Sequence, residues 1–233
     1  MRQVFWEEVQ ETIKNEESRK RSNLVEAEFR DMDLSGMDLH GVDFSKSAFF
    51  NVKFYRTNLS GAIFENALLD GIVLEKCNLF GAKLVGTCLR EGSLKGCDCR
   101  GVDFYSAVLE HTDLTDVVTD DTTKWFQMYC PATGPILGYK KCFGDRLVQL
   151  LIPADAKRTS ATRPSCRASK AKVLSIWNFE ATESFDEAWS LVDDNFVYRK
   201  GQWVEVKNFN EDRWFDSTTG IHFWLTREEA IAY

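Results

Sequence analysis

Thr57-Asn58-Leu59-Ser60-Gly61-Ala62-Ile63-Phe64-Glu65-Asn66 sets two five-residue blocks end to end, each centred on a large apolar residue. Stepping by five through Leu59 and Phe64 extends the pattern in both directions. The series is Leu24, Phe29, Leu34, Leu39, Phe44, Phe49, Phe54, Leu59, Phe64, Leu69, Leu74, Leu79, Leu84, Leu89, Leu94, Cys99, Phe104, Leu109 and Leu114. Eighteen of these nineteen residues are Leu or Phe, so the register holds throughout. The residue two before each is small in sixteen of the nineteen cases, Met32, Met37 and Ile72 being the exceptions. A helix repeats apolar residues at 3.6 and a strand at 2. A period of five fits neither. It fits a chain that takes one inward step per block and then turns a corner. Such a short fixed period marks a solenoid, whose coils bury apolar surface only against their neighbours.

These blocks resemble the pentapeptide-repeat family over about two-fifths of the chain. The resemblance implies a right-handed, four-sided β-helix with four pentapeptides per coil. Coils would stack at the spacing of hydrogen-bonded strands, ~4.8 Å, giving a shaft roughly 20–25 Å long. Residues 20 apart would then lie above one another. On that basis one side carries Asp38, Asn58, Asn78 and Asp98, with Gly41, Gly61, Gly81 and Gly101 at its corner. Asx side chains there can bond backbone or stack in ladders, and glycine suits a tight corner. A second side carries Ala48, Leu68, Cys88 and Val108 with Phe50 beside them, an outward apolar column. Exposed apolar patches mark interaction sites, so Ala48, Phe50, Leu68, Cys88 and Val108 are the candidate partner surface. Covering by another part of the chain is the alternative. A third side, with Lys53, Tyr55, Arg56, Lys76 and Lys95, reads as a solvated basic face.

The expected organisation is an N-terminal capping helix over 1–23, the β-helix over 24–118 and a small α+β domain over 119–233. Phe5, Val9 and Ile13 recur at helical spacing, which predicts one helix over residues 3 to about 20. A solenoid must cover the strand edges and apolar surface of its end coil. The second domain is announced by composition: all four prolines lie beyond residue 130 and six of seven tryptophans beyond residue 124. Strands are expected at Leu147–Ile152, Ala171–Trp177 and Gly220–Leu225, a short helix at Phe185–Val192, and a hairpin of Phe196–Tyr198 with Trp203–Val206 about Lys200-Gly201. Thr226 and Glu229 form a capping-box pattern.

Three stretches of this half resemble an uncharacterised domain that follows pentapeptide repeats in phage and bacterial proteins. They are residues 151–162, residues 166–174, and Glu211-Asp212-Arg213-Trp214 with Gly220-Ile221-His222-Phe223. The resemblance implies a phage or mobile-element context and a host-directed partner, but assigns no residue roles. Ser217 stands where that domain has a cysteine, which argues against a thiol mechanism there.

The net charge is -7, and residues 24–120 hold 16 acids against 9 bases. No apolar run approaches the ~18 residues of a membrane span, and acids interrupt the N-terminus too early for a signal peptide. A cytoplasmic location is expected. Seven cysteines without paired spacing read as small core residues in a reducing compartment. Cys97-x-Cys99 lacks the further ligands of a metal site, and no cofactor is implied.

The densest charge cluster is Lys157, Arg158, Arg163, Arg167, Lys170 and Lys172. The first five are a candidate anion-binding set, since Arg offers fork-shaped donors. The bland reading is a solvated basic loop. The cluster contains no aromatic, so direct nucleic-acid binding is not expected. Ser217 with His222 is the one pair suggestive of nucleophilic chemistry, and a structural histidine is the preferred reading, so no catalytic residue is assigned. The expected function is non-catalytic presentation of the shaft to a protein partner. Two rivals stand: DNA mimicry directed at a type II topoisomerase, which the family resemblance implies, and a second domain acting on a phosphate-bearing ligand.

Overall fold

The computed structural model describes residues 1–20, 24–193 and 195–233. The expected link at Ser22 and Asn23 lies outside them. The chain is mainly β with few helices and divides into two units, Met1–Gln127 and Met128–Tyr233.

In the first unit the period-five series fills the axis. Phe29, Phe44, Phe54, Phe64 and Phe104 are fully buried, as are the axial leucines from Leu24 to Leu109. The rings stack from coil to coil: Phe29 lies 4.6 Å from Phe49 and Phe44 5.0 Å from Phe64. Parallel bridges join residues 20 apart, as in Asp38, Asn58, Asn78, Asp98 and Val118. The backbone ladder follows the same step, with Phe44 N–H donating to Ile63 C=O at 2.7 Å and Phe64 N–H to Lys83 C=O at 2.8 Å.

The corners explain the period. The residue two after each axial residue has φ between +53° and +71° at every one of the nineteen positions from Glu26 to Asp116. Eight of these are glycine; the others are mostly polar, including Asp31, Lys46, Asn51 and Asn66. A left-handed residue every fifth step turns the chain through each corner, at roughly 1–2 kcal/mol where a Cβ is present.

The small residues two before the axis have a second use. Ser47 Oγ donates to Leu24 C=O, Thr57 to Leu34, Thr87 to Phe64 and Thr112 to Leu89, each 23 residues back. Cys77 and Cys97 do the same with their thiols, to Phe54 and Leu74. These hydroxyls and thiols satisfy buried carbonyls of the preceding coil.

The N-terminal stretch is not one helix. Strand β1 (Arg2–Gln3) pairs in parallel with β2 (Ala27–Arg30), which pairs with β3 (Ala48–Phe50). Helix α1 (Trp6–Thr12) follows, then α2 (Glu16–Lys20). Coil edges offer unpaired backbone groups, and Arg2-Gln3 satisfies some of them as a strand rather than as a helical turn. Val4 and Val9 are buried, while Phe5 faces solvent. Glu16 and Arg19 reach Asp38 and His40 on the shaft. Strands β4 (Lys53–Tyr55) and β5 (Val73–Glu75) form the regular part of another side. Past Leu114 the ladder continues, with Lys124 bridging Asp103 and Phe126 packing 5.3 Å from Phe104.

The second unit holds a four-stranded antiparallel sheet in the order β13-β10-β7-β6, made of β6 (Ile136–Cys142), β7 (Arg146–Ile152), β10 (Lys170–Asn178) and β13 (Trp203–Glu205). A three-stranded sheet, β14-β9-β8, comprises β8 (Arg158–Ser160), β9 (Cys166–Ala168) and β14 (Ile221–Phe223). Strand β11 (Glu187–Trp189) pairs with β12 (Val197–Arg199). The expected helix at Phe185–Val192 is therefore a strand, because the half-buried, buried, exposed sequence of Glu187, Ala188 and Trp189 has period two. The expected hairpin is also absent: β12 pairs with β11 and β13 with β10. Gly201, at φ +79°, donates to Val173 C=O and redirects the chain between the two sheets. Helix α3 (Arg227–Ala232) begins on the expected capping box, with Thr226 accepting from Glu229 N–H and Glu229 from Thr226 N–H. The sheets meet closely at Gly138, where a Cβ would come 2.4 Å from the Phe223 ring.

Candidate functional site

The apolar column on the shaft is real but shorter than the sequence suggests. Bridges align Ala48, Leu68, Cys88 and Val108. Leu68 is 48% exposed and Phe50 40% exposed, Cys88 and Val108 are half-buried, and Ala48 is fully buried. Ala48 drops out because β3 packs regularly beside β2, with Glu28 directly opposite it. The Arg30 guanidinium covers Phe50 at 4.1 Å from the ring centroid. Asp70, Arg90 and Glu110 line the neighbouring row; Cys88 donates to Asp70 at 2.6 Å, and Arg90 pairs with Glu110 at 3.1 Å. The result is an apolar stripe with a charged rim.

Five acids of the shaft pair with cations. Lys46 pairs with Glu26, Arg100 with Asp98, and Arg90 with Glu110. Lys83 and Lys124 lie 3.7 Å from Glu65 and Asp103. On the Asx side Asn58 donates to Asp38 and Asn78 to Asn58, while Ser60 N–H and Phe80 N–H close turns on Asn58 and Asn78. These carboxylates and amides bind their own backbone and neighbours.

The basic cluster of the second unit is dispersed. Lys157 pairs with Glu211, and Lys170 with Asp155 at 2.7 Å. Arg163 is exposed. Arg158 donates through Nη2 to Pro153 and Ala154 C=O. Arg167, 2% exposed, donates to the carbonyls of Asn210 at 2.9 Å, Thr219 at 3.0 Å and Asp212 at 2.8 Å. It clamps a loop instead of facing an anion. Burial lowers its pKa. Arg167 therefore does not stand on an open basic surface with the other four: every residue of β9 is buried, which charge counting ignores.

His222 lies opposite Arg167 in the β9–β14 register, and its Nε2 is 3.1 Å from Asp216 C=O. A carbonyl can only accept, so Nε2 carries the proton. Burial holds the imidazole below its ordinary pKa. This is a structural histidine, and Ser217 is exposed.

Sequence reasoning missed Lys140. Alternation on β6 puts Gly138, Lys140 and Cys142 on the buried face. Lys140 is 6% exposed and, among the described residues, has no hydrogen bond or ion pair; the Trp224 ring lies 6.0 Å from its ammonium. Burial lowers its pKa, and its charge also disfavours protonation of His222. Lys140→Met is expected to stabilise the protein by about 1–2 kcal/mol at neutral pH, because an unpaired ammonium leaves the core. The unfolded chain binds this proton more tightly than the folded one. Wild-type stability therefore rises as pH climbs from the depressed folded value to the ordinary lysine value. Urea unfolding at neutral and alkaline pH checks this, and a less stable methionine variant overturns it.

Two family profiles match. Pentapeptide repeats match in eight copies over residues 22–61, 57–96 and 89–118, and the family of unknown function DUF5758 matches residues 126–230. The chain is thus a pentapeptide-repeat protein carrying a C-terminal DUF5758 domain. No curated protein matches it. Among solved structures it is similar to HetL, a pentapeptide repeat protein involved in heterocyst differentiation regulation from the cyanobacterium Nostoc sp. strain PCC 7120. That likeness is 23% identity over 42% of this chain and 47% of HetL, with a TM-score of 0.40, so the chain spans about half the length of HetL. A pentapeptide repeat protein of the Arabidopsis thaliana thylakoid lumen is 29% identical over 40% of this chain and 71% of its own, with a TM-score of 0.26. QnrB1, a plasmid-mediated fluoroquinolone resistance protein, is 15% identical over 42% of this chain and 85% of its own, with a TM-score of 0.17. Among the described residues no helix is long and apolar enough to cross a membrane.

Proposed function

We propose that this chain is a non-catalytic interaction protein whose shaft presents the Leu68–Cys88–Val108 stripe, with Phe50 beside it, to a protein partner. The observation that carries the reading is the aligned, partly exposed apolar stripe rimmed by Asp70, Arg90 and Glu110. In this reading the shaft is right-handed and residues 1–23 cap its first coil, a role supported by the β1–β2 pairing and by burial of Val4 and Val9. The second unit, Met128–Tyr233 rather than the expected 119–233, acts as an appended α+β domain. A phage-encoded, host-directed role rests on the resemblance of residues 151–223 alone.

The test is capture of proteins from bacterial lysate by the full chain and by Leu68→Glu and Phe50→Ser variants. Both positions are exposed, so far-UV circular dichroism should be unchanged. A partner retained by wild type and held ~10-fold less tightly by Leu68→Glu supports the stripe as a hot spot. Equal retention by all three chains overturns it. A gyrase supercoiling assay with the same preparations is expected to show no inhibition at micromolar protein. Inhibition there would favour DNA mimicry.

A further inference from the structure

Cys130 and Cys166 meet inside the second unit, beside two arginines that other contacts leave close to them. Cys130 lies in an irregular segment before β6, and its N–H donates to Ser160 Oγ at 3.4 Å; Tyr129 N–H donates to the same oxygen at 2.7 Å. Ser160 is the cross-strand partner of Cys166 in the β8–β9 pair. Both cysteines are fully buried in the same apolar cluster. Arg213 donates to Ser160 and Ala161 C=O at 3.0 and 3.2 Å. Arg158 opens the same strand, and its Nε and Nη1 are buried without a hydrogen-bond partner.

We propose that Cys130 and Cys166 are a redox-active dithiol that closes to a disulfide by exchange with a small-molecule disulfide. Cys130 is the attacking thiol. It sits outside the strands but is fully buried, so its attack requires local opening, and the nearby Arg158 charge favours its thiolate. The Cys130 pKa is lowered, first by the Cys166 thiol and then by Ser160 and Arg158, whereas that of Cys166 is raised by the same thiol contact and by burial. In the first step the Cys130 thiolate attacks one sulfur of the small disulfide. That S–S bond breaks, and one small thiolate leaves and takes a proton. In the second step Cys166 loses its proton and attacks the Cys130 sulfur, expelling the other small thiol. Two protein thiols are oxidised, and one small disulfide is reduced to two thiols. Closure would tie the segment entering β6 to β9.

The shaft supplies an internal control. Cys77 and Cys97 are also a buried pair, and each donates at 2.9 Å to a carbonyl of the preceding coil, whereas Cys166 donates only at 3.5 Å, to Pro164 C=O. Both lie within the coil ladder, and unlike Cys130 neither is shifted by a cationic side chain.

The full chain is equilibrated with oxidised and reduced glutathione under native conditions, quenched with acid, alkylated and peptide-mapped. The expected product is a Cys130–Cys166 link, lighter by two hydrogens, with Cys77 and Cys97 alkylated. Arg158→Gln should slow closure roughly threefold to tenfold, because it removes charge that favours the attacking thiolate. No native Cys130–Cys166 link, or oxidation of Cys77–Cys97 in its place, overturns the proposal. An unchanged rate in folded Arg158→Gln removes the arginine from it.

Discussion

Phe64→Asp is expected to unfold the shaft. Phe64 is fully buried on the axis, stacked 5.0 Å from Phe44 and 6.0 Å from Phe49. Its backbone is in the ladder to Lys83, and its carbonyl accepts from Thr87. Losing a buried phenylalanine alone costs about 3–5 kcal/mol. The carboxylate adds the cost of a charge with no partner in the core. A solenoid coil is stable only through its neighbours, so the defect propagates to the coils of Phe44 and Leu84. The loss is therefore comparable with the whole stability of a domain, ~5–15 kcal/mol. Far-UV circular dichroism and size exclusion read it directly. Leu68→Asp, four residues along the same coil but facing solvent, should leave both unchanged. A soluble Phe64→Asp protein with wild-type spectra would mean that the axial assignment is wrong.

That contrast also measures how much the sequence could say. The axis was legible because every step carries the same requirement: a large apolar residue inward, a small one two before it, and a corner two after. Nineteen repetitions average out local exceptions such as Cys99. The same repetition placed Leu68 above Cys88 and Val108. It could not place Ala48 correctly, because burial at the first coils depends on β1 and β2, which the period does not encode. In the second unit each strand occurs once, and nothing averages. Leu147–Ile152 and Ala171–Trp177 were legible as long apolar runs. Glu187–Trp189 was not, since three residues give too little alternation. The cation cluster misled for a related reason. Six bases in sequence look like one surface, yet they are spread over β8, β9, β10 and the intervening loops, and Lys157, Arg158, Arg167 and Lys170 each find a separate carboxylate or carbonyl. Cys130 and Cys166 lie 36 residues apart without any spacing signal, and only the β8–β9 register brings them together.

Arg167 carries the second large effect. It anchors the irregular stretch around Asn210, Asp212 and Thr219 to β9 through three carbonyls, with its guanidinium 5.5 Å from the Phe209 ring. No carboxylate is among those hydrogen-bond partners, so the charge is held by dipoles and the cation–π contact. Arg167→Met keeps the volume and removes the buried charge, but leaves three acceptors without donors. Arg167→Ala adds a cavity. The expected destabilisation is about 2–4 kcal/mol for methionine and more for alanine, since orphaned buried groups lose their full hydration. Arg167→Lys should recover only part of this, because an ammonium cannot span the fork geometry. Urea unfolding ranks the three variants. Hydrogen exchange then separates a local from a global effect: amides at 208–220 should lose protection in every variant, including lysine, before the β6–β7 amides do. If Arg167→Met unfolds at the wild-type urea concentration, those carbonyls do not depend on the guanidinium, and the loop is held by its own Asx turns at Asn210 and Asp212.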